Sequence, residues 1–438
     1  MDSRFQANNT HLFTASSFRD TDPHLRRLYQ QPLVYASSII QEMPRDERAV
    51  VTLSGGRQIG KTTLLKQWME DLLQQGIDPQ AICFFSGELI GDHQNLYTLM
   101  TQQLAEMPKT GLCYFILDEV TDIADWDKTI KYLADTGELD NTVLVLSGSD
   151  LVLMQEARKR FPGRRGRATK VDFHYYPLSF RECVGLKKTA PSALNQAFHD
   201  YLIHGGFLTA INEFAQYHTI SEATLAVYSD WIRGDMLKRG KKELFVKEIM
   251  AAILKHYLKQ VSWDNLVKEL SIDHVQTVAN YMELLESMDA VFVQSAIMED
   301  QLRAAPKKRK KLMFCDPFIY HAIRAWLTPV RDPFHTQIEP LLADPEGCSE
   351  LVEATVITHF RRFYSTYYIK AEGEVDIAYV HDGRFWPIEI KWTTQLRAKD
   401  LKQIKKYKDA EIYAKIQSPG WVDDIPIKPL PLALLDIQ

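Results

Sequence analysis

AVVTLSGGRQIGKTTLLKQWMEDLL, residues 49–73, decides how the first part of the chain folds. An apolar run, Ala49 to Leu53, reads as a buried strand, breaks into a Gly-rich turn, and gives way to a helical pattern at Gly60-Lys61-Thr62. The spacing from Gly55 to Thr62 is G-x-x-x-x-G-K-[ST], in the strand–loop–helix setting that a P-loop requires. Gly55 and Gly60 let the backbone turn and approach a phosphate with no Cβ in the way. The N–H groups of the loop and the helix N-terminus then offer donors to an anion. Gly55, Gly56, Arg57, Gln58, Ile59, Gly60, Lys61, Thr62 and Thr63 are the expected nucleotide cradle. Lys61 is expected on the β and γ oxygens of ATP and the Thr62 hydroxyl on Mg²⁺.

Further along, the chain alternates buried strands with helices. Ala81 to Phe85 is a short apolar run read as a parallel strand, followed by a helical pattern over 94–107. LCYFILDEV, residues 112–120, ends an apolar strand in two acids and reads as a Walker B strand. Asp118 is expected to join Thr62 in the Mg²⁺ shell, and Glu119 to polarise the attacking water. TVLVLSGSD, 142–150, is a further strand. Its Ser147 or Ser149 suits a γ-phosphate sensor, while Ser149 or Asp150 equally suits a helix cap. The order predicts an α/β fold with a parallel sheet.

Length and composition set outer bounds. The chain has 438 residues, room for two to four domains, with 45% hydrophobic and 25% charged residues, as in a soluble globular protein. A net charge of −5 means that any nucleic-acid contact must come from local basic patches. The five cysteines show no C-x-x-C pair and read as reduced thiols of a cytoplasmic protein. No signal sequence and no apolar run of membrane-spanning length is present, so no membrane partner is expected. Residues 1–20 are polar and read as mobile; Thr21 or Asp22 can cap a helix beginning near Pro23.

FPGRRGRATK, 161–170, places four cations in ten residues, which suits solvated surface, a phosphate contact, or an arginine finger offered to a neighbouring subunit. FRDTDPHLRRL, GGRQIGKTTL, LDEV, LSGSD, PGRRG, YYPLSFREC and HGGFLTAINE follow one another in an order that resembles prokaryotic AAA-type, STAND-related ATPases. Members of that group carry a C-terminal domain of long-unknown function with a nuclease-like fold. The resemblance implies Lys61, Thr62, Asp118 and Glu119 as nucleotide residues and Arg164 or Arg165 as the finger candidate; a finger offered in trans would go with a homo-oligomer. Leu208 departs from the proline expected after the Gly-Gly-aromatic turn.

The middle of the chain reads as a helical lid over 189–238 and then a winged helix-turn-helix over 239–330. The recognition helix, 273–288, has no arginine or lysine; the wing offers PKKRKK, 306–311, as a DNA contact. A structural winged helix is the equal alternative. From about Arg331 a Pro-rich segment reads as a linker and capping turns. SELVEATVITHFRRFY is a helix, and YIKAEGEVDIAYV and FWPIEIKW form a hairpin about Asp382-Gly383. Asp376, Glu389 and Lys391 then share one side of the hairpin, resembling the D…ExK core of the restriction-endonuclease superfamily with Glu353 as the extra acid. Such a core implies one or two Mg²⁺ or Mn²⁺ ions on Glu353, Asp376 and Glu389, with Lys391 orienting water or stabilising charge. A solvated salt-bridge face is the bland alternative. KDLKQIKKYKDAEIY, 399–413, reads as a lysine-rich helix.

The expected architecture is therefore an N-terminal arm and helix (1–45), an AAA-type P-loop ATPase core (46–188), the helical lid, the winged helix, and a restriction-endonuclease-like α/β domain (331–438). Two functions fit it: an Mg²⁺-dependent ATPase coupled to a nuclease-like domain acting on DNA, or a nucleotide-controlled oligomerising switch whose nuclease-like domain only binds.

Overall fold

Five strands, four of them apolar, assemble a parallel sheet at the centre of the first of two compact units, Met1–Tyr176 and Pro177–Gln438. The computed structural model describes residues 1–161, 163–393 and 401–437. Strands β1 (Ala49–Ser54), β2 (Ile82–Ser86), β3 (Cys113–Asp118), β4 (Thr142–Gly148) and β5 (Asp172–His174) lie in the order β2-β3-β4-β1-β5. Helices Lys61–Gln74, His93–Glu106, Trp126–Asp135 and Leu151–Arg160 connect them. Strands β1, β3 and β4 are buried along their whole length, which explains why they read as continuous apolar runs. All strands are parallel, so the carboxyl ends of β1, β3 and β4 lie side by side at one edge. Asp150 caps the helix that follows β4 by accepting from Leu153 N–H.

Residues 1–20, expected from the sequence to be mobile, have a defined conformation. They form short 3₁₀ turns held against β2. Phe5 is fully buried and stacks on Phe85 at 4.2 Å between ring centroids. The Asn9 side chain substitutes for a neighbouring strand: Oδ1 accepts from Phe84 N–H at 2.8 Å, and Nδ2 donates to Phe84 O at 2.7 Å. An edge strand whose backbone must be paired supplies the reason, and polarity alone did not reveal it. Asp22 caps the helix Pro23–Tyr29, with Pro23 at its first turn.

The second unit begins with helices Phe180–Lys187, Leu194–His204, Leu208–Tyr217 and Glu222–Lys238. Three more follow, Glu243–Lys255, Trp263–Val267 and Val275–Ser287, and then a ribbon of β6 (Val291–Ser295) and β9 (Lys310–Phe314), antiparallel. A small pair, β7 (Ile297–Met298) and β8 (Arg303–Ala304), lies between them in sequence. The Pro-rich segment, read as a linker and capping turns, is largely helical: Phe334–Ile338 and Glu339–Ala343 form helical turns, and Phe334 and Ile338 are buried. Helix Pro345–Arg361 leads to a mixed sheet of β10 (Ser365–Lys370), β11 (Glu374–His381), β12 (Arg384–Lys391), β13 (Glu411–Ala414), β14 (Gly420–Val422) and β15 (Ile425–Pro429). Their order is β10-β11-β12-β13-β15-β14.

The lysine-rich stretch also departs from its reading. Ile404–Lys406 is a single 3₁₀ turn and Glu411 opens β13, parallel to β12; residues 399–400 and Pro162 lie outside the described residues. Leu401, Ile404 and Ala410 are buried with Ile412 in the C-terminal core, so apolar burial overrides helix propensity here.

Candidate functional site

Gly60 ends the β1 loop at φ 94°, a left-handed conformation that glycine adopts without strain, and caps the helix that Lys61 opens. Lys61 is 4% exposed, and its Nζ donates to the carbonyls of Gly55 at 3.0 Å and Gly56 at 2.8 Å. Glu119 Oε1 stands 3.6 Å from the same ammonium. The Thr62 hydroxyl donates to Asp118 Oδ2 at 2.6 Å, and Ser147 donates to Asp118 Oδ1. The ends of β3 and β4 and the first turn of the P-loop helix thus converge on one buried carboxylate. Burial, and then the neighbouring Glu119, raise the protonation range of Asp118, while the two hydroxyls oppose that shift.

Glu119 adopts φ 49°, uncommon for a residue with a Cβ. Its backbone N–H donates to Ser147 Oγ at 3.2 Å and its Oε2 accepts from Ser149 at 3.1 Å. Arg57 Nε donates to Ser149 at 3.2 Å, linking the P-loop to this corner. Gly87, just after β2, leaves room for the bend: a Cβ there would sit 2.4 Å from Glu119 O and 3.1 Å from Asp118 O. Sequence reading missed Gly87 because no motif flags it. Gln58, Ile59 and Thr63 lie on the same loop and first helical turn.

Arg164 and Arg165 lie elsewhere. Arg165 O accepts from Val50 N–H, at the start of β1, whereas the P-loop follows the strand's other end. The Arg165 side chain pairs with Asp172 at 2.5 Å, and Arg164 pairs with Asp135. Neither reaches the nucleotide cradle of its own chain, so a finger role is confined to action in trans.

In the second unit, β11 and β12 pair with Ile377 opposite Ile388, which brings Asp376 and Glu389 to adjoining positions. Asp376 Oδ2 accepts from Ile390 N–H at 2.8 Å. Glu389 is 5% exposed; its Oε1 accepts from Lys391, and its Oε2 is buried with no partner in the protein. Glu353, on helix Pro345–Arg361, accepts from Lys311 Nζ at 3.0 Å, and Lys311 also pairs with Glu374. Burial, and then the Asp376 charge, raise the protonation ranges of both Glu353 and Glu389. The same carboxylates hold Lys311 and Lys391 charged against the opposing effect of burial.

The basic wing run is split. Lys307, Lys308 and Arg309 are exposed, but Lys311 is 2% exposed and turned toward the acids, so it cannot serve the DNA contact expected of it. A period-two strand sends alternate residues of KKLMF to opposite faces, and the paired partner decides which face is buried. Among the described residues, no group of three His, Cys, Asp or Glu side chains is drawn together closely enough to hold a metal ion, and no helix is long and apolar enough to cross a membrane.

Residues 47–184 match the family model of an AAA domain. This part of the chain is a P-loop ATPase domain of AAA type. Residues 195–329 and 349–422 match two domains of unknown function, DUF8612 and DUF4143. An uncharacterized protein of Haemophilus influenzae is 24% identical over 268 residues, covering 58% of this chain; the match spans 63% of that relative's length. Among solved structures, the Walker-type ATPase PABY2304 of Pyrococcus abyssi is similar over 63% of this chain and 91% of its own, with 14% identity and a TM-score of 0.42. The ORC2 protein of Aeropyrum pernix is similar over 72% of this chain and 93% of its own, with 11% identity and a TM-score of 0.38.

Proposed function

We propose that the protein is an Mg²⁺-dependent ATPase whose nucleotide state governs a nuclease-like C-terminal domain acting on DNA. The observation that carries the ATPase part is Asp118, buried and held between Thr62 and Ser147 with Glu119 beside it. A hydroxyl and a carboxylate oxygen 2.6 Å apart are the hard donors that suit Mg²⁺, so Thr62 and Asp118 would hold it. When bound, the ion neutralises charge on the phosphate oxygens. Lys61 exchanges its Gly55 and Gly56 carbonyls for phosphate oxygens. Glu119, released from Lys61 and steadied by Ser149, takes up the proton side of the attacking water. Arg164 or Arg165 is a finger candidate only toward a second copy, which makes a homo-oligomer part of the reading.

For the C-terminal domain, a restriction-endonuclease-like fold is the reading we favour. Its support is the β11–β12 pairing that sets Asp376 beside Glu389 and Lys391, with Glu353 on the preceding helix bonded to Lys311; Mg²⁺ or Mn²⁺ there rests on the resemblance, not on the spacing of these side chains. The three helices and ribbon of 243–314 suit a winged helix, and the exposed Lys307, Lys308 and Arg309 suit a phosphate backbone. A second reading, a nucleotide-controlled switch whose nuclease-like domain only binds, is favoured by the ion pairs of Lys311, which already compensate the acids.

The test measures ATP turnover together with cleavage of labelled duplex DNA, single-stranded DNA and RNA, with Mg²⁺ or Mn²⁺, with and without ATP. Lys61→Ala should lose tight ATP binding, Glu119→Gln should bind ATP without turning it over, and Asp376→Ala should lose cutting alone. Equal turnover in wild type and Lys61→Ala sinks the ATPase reading. Intact turnover with no cutting of any substrate moves the conclusion to the switch.

A further inference from the structure

Arg57 belongs to the P-loop, yet its side chain is turned onto the corner that holds Glu119, and it reaches that residue by two routes. Its Nε donates to Ser149 Oγ at 3.2 Å, and the Ser149 hydroxyl donates to Glu119 Oε2 at 3.1 Å. Its Nη2 stands 3.7 Å from Asp122 Oδ1. Asp122 closes the 3₁₀ turn Val120–Asp122 that follows Glu119, and its N–H donates to Glu119 O at 3.1 Å. One arginine is thus linked to the carboxylate of Glu119 through Ser149 and to its backbone through Asp122. The Arg57 side chain is 20% exposed and that of Asp122 29%, so the pair lies at the mouth of the site, open to a ligand. A guanidinium presents a planar fork of donors that matches phosphate oxygens as well as carboxylates.

We propose that Arg57 is a positioning residue that couples the γ-phosphate of ATP to Glu119: its guanidinium exchanges Asp122 for a γ-phosphate oxygen. This rests on the ATPase reading of the loop. The water that Glu119 polarises attacks the γ-phosphorus, so the phosphate met on this corner is the γ. In the absence of nucleotide two P-loop cations restrain Glu119, Lys61 at 3.6 Å from Oε1 and Arg57 through Ser149 on Oε2. Withdrawal of Arg57 frees the turn at Asp122 and leaves Ser149 to donate to Glu119 alone. Asp122 competes with phosphate for the guanidinium, so removal of its charge favours ATP over ADP. A charge-assisted hydrogen bond made to ATP and not to ADP corresponds to about a tenfold preference or more.

The test is equilibrium titration of the full chain, in Mg²⁺, with ADP and with the β,γ-imido analogue of ATP, which is not hydrolysed, alongside steady-state ATP turnover. Variants are Arg57→Gln, Arg57→Lys and Asp122→Asn, each checked for folding by a thermal melt. Arg57→Gln should keep ADP affinity close to wild type, bind the analogue about tenfold more weakly, and turn over ATP about tenfold more slowly or worse. Arg57→Lys, which keeps the charge but loses the fork, should fall between. Asp122→Asn should move the ratio the other way, binding the analogue about threefold more tightly with ADP unchanged, the worth of a partly exposed ion pair; it carries the test if Arg57→Gln does not fold. Equal loss of ADP and analogue affinity in Arg57→Gln would assign Arg57 to support of the loop and overturn the proposal, as would an unchanged ratio in Arg57→Gln or in Asp122→Asn. A wild type that binds neither nucleotide, or binds both as Lys61→Ala does, overturns the ATPase reading itself.

Discussion

Gly87→Ala probes the nucleotide site without touching a residue of any motif. An alanine Cβ would stand 2.4 Å from Glu119 O, 2.9 Å from Glu119 C and 3.1 Å from Asp118 O, all main-chain atoms. Carbon and oxygen in ordinary contact sit about 3.5 Å apart, so the Glu119 corner must retreat by about 1 Å. Glu119 already holds φ 49° and is tied to Ser147 and Ser149, which leaves it little latitude to absorb the shift locally. A displacement of that size at a water-positioning group costs on the order of 100-fold in rate, or about 2.7 kcal/mol. The P-loop and Lys61 do not contact Gly87 in the same way, so ATP affinity should change little. Steady-state hydrolysis gives the rate, equilibrium titration with ATP gives the affinity, and a thermal melt shows that the variant is folded. A folded variant with turnover within twofold of wild type would refute the argument that the Glu119 backbone position limits hydrolysis.

Asn9→Ala should lower the urea-unfolding stability of the first unit, because the N–H and C=O of Phe84 each lose a buried partner worth about 1–3 kcal/mol; an unchanged midpoint would mean that the arm contributes nothing. Asp316 gives a pH signature. Its carboxylate accepts from Gly206 and Phe318 N–H groups, yet burial raises its pKa from 3.8 to about 6. Between those values the folded chain keeps a proton that the unfolded chain has lost, so this contribution to stability falls as pH rises from about 4 to 6, by about 3 kcal/mol, and is level above. Asp316→Asn should remove that slope while destabilising the fold through the lost acceptor; retention of the slope would assign it to another group.

Local sequence was enough for the P-loop, for the Asp118–Glu119 strand end and for the Asp22 cap, because each depends on the conformational needs of a few adjacent residues: glycines at a turn, apolar residues along a buried strand, an acid before a proline-led helix. The parallel α/β order followed from the spacing of those signals. What only the tertiary structure decided involves partners far apart in the chain. Asn9 meets Phe84 across 75 positions, Lys311 meets Glu353 across 42, and Gly87 faces the carbonyl of Glu119 from a separate strand end. In each case the residue type admits several uses, a mobile arm, a DNA contact, an ordinary turn. The choice among them is made by which backbone or charge the fold brings alongside, a long-range pairing that short-range propensity does not encode.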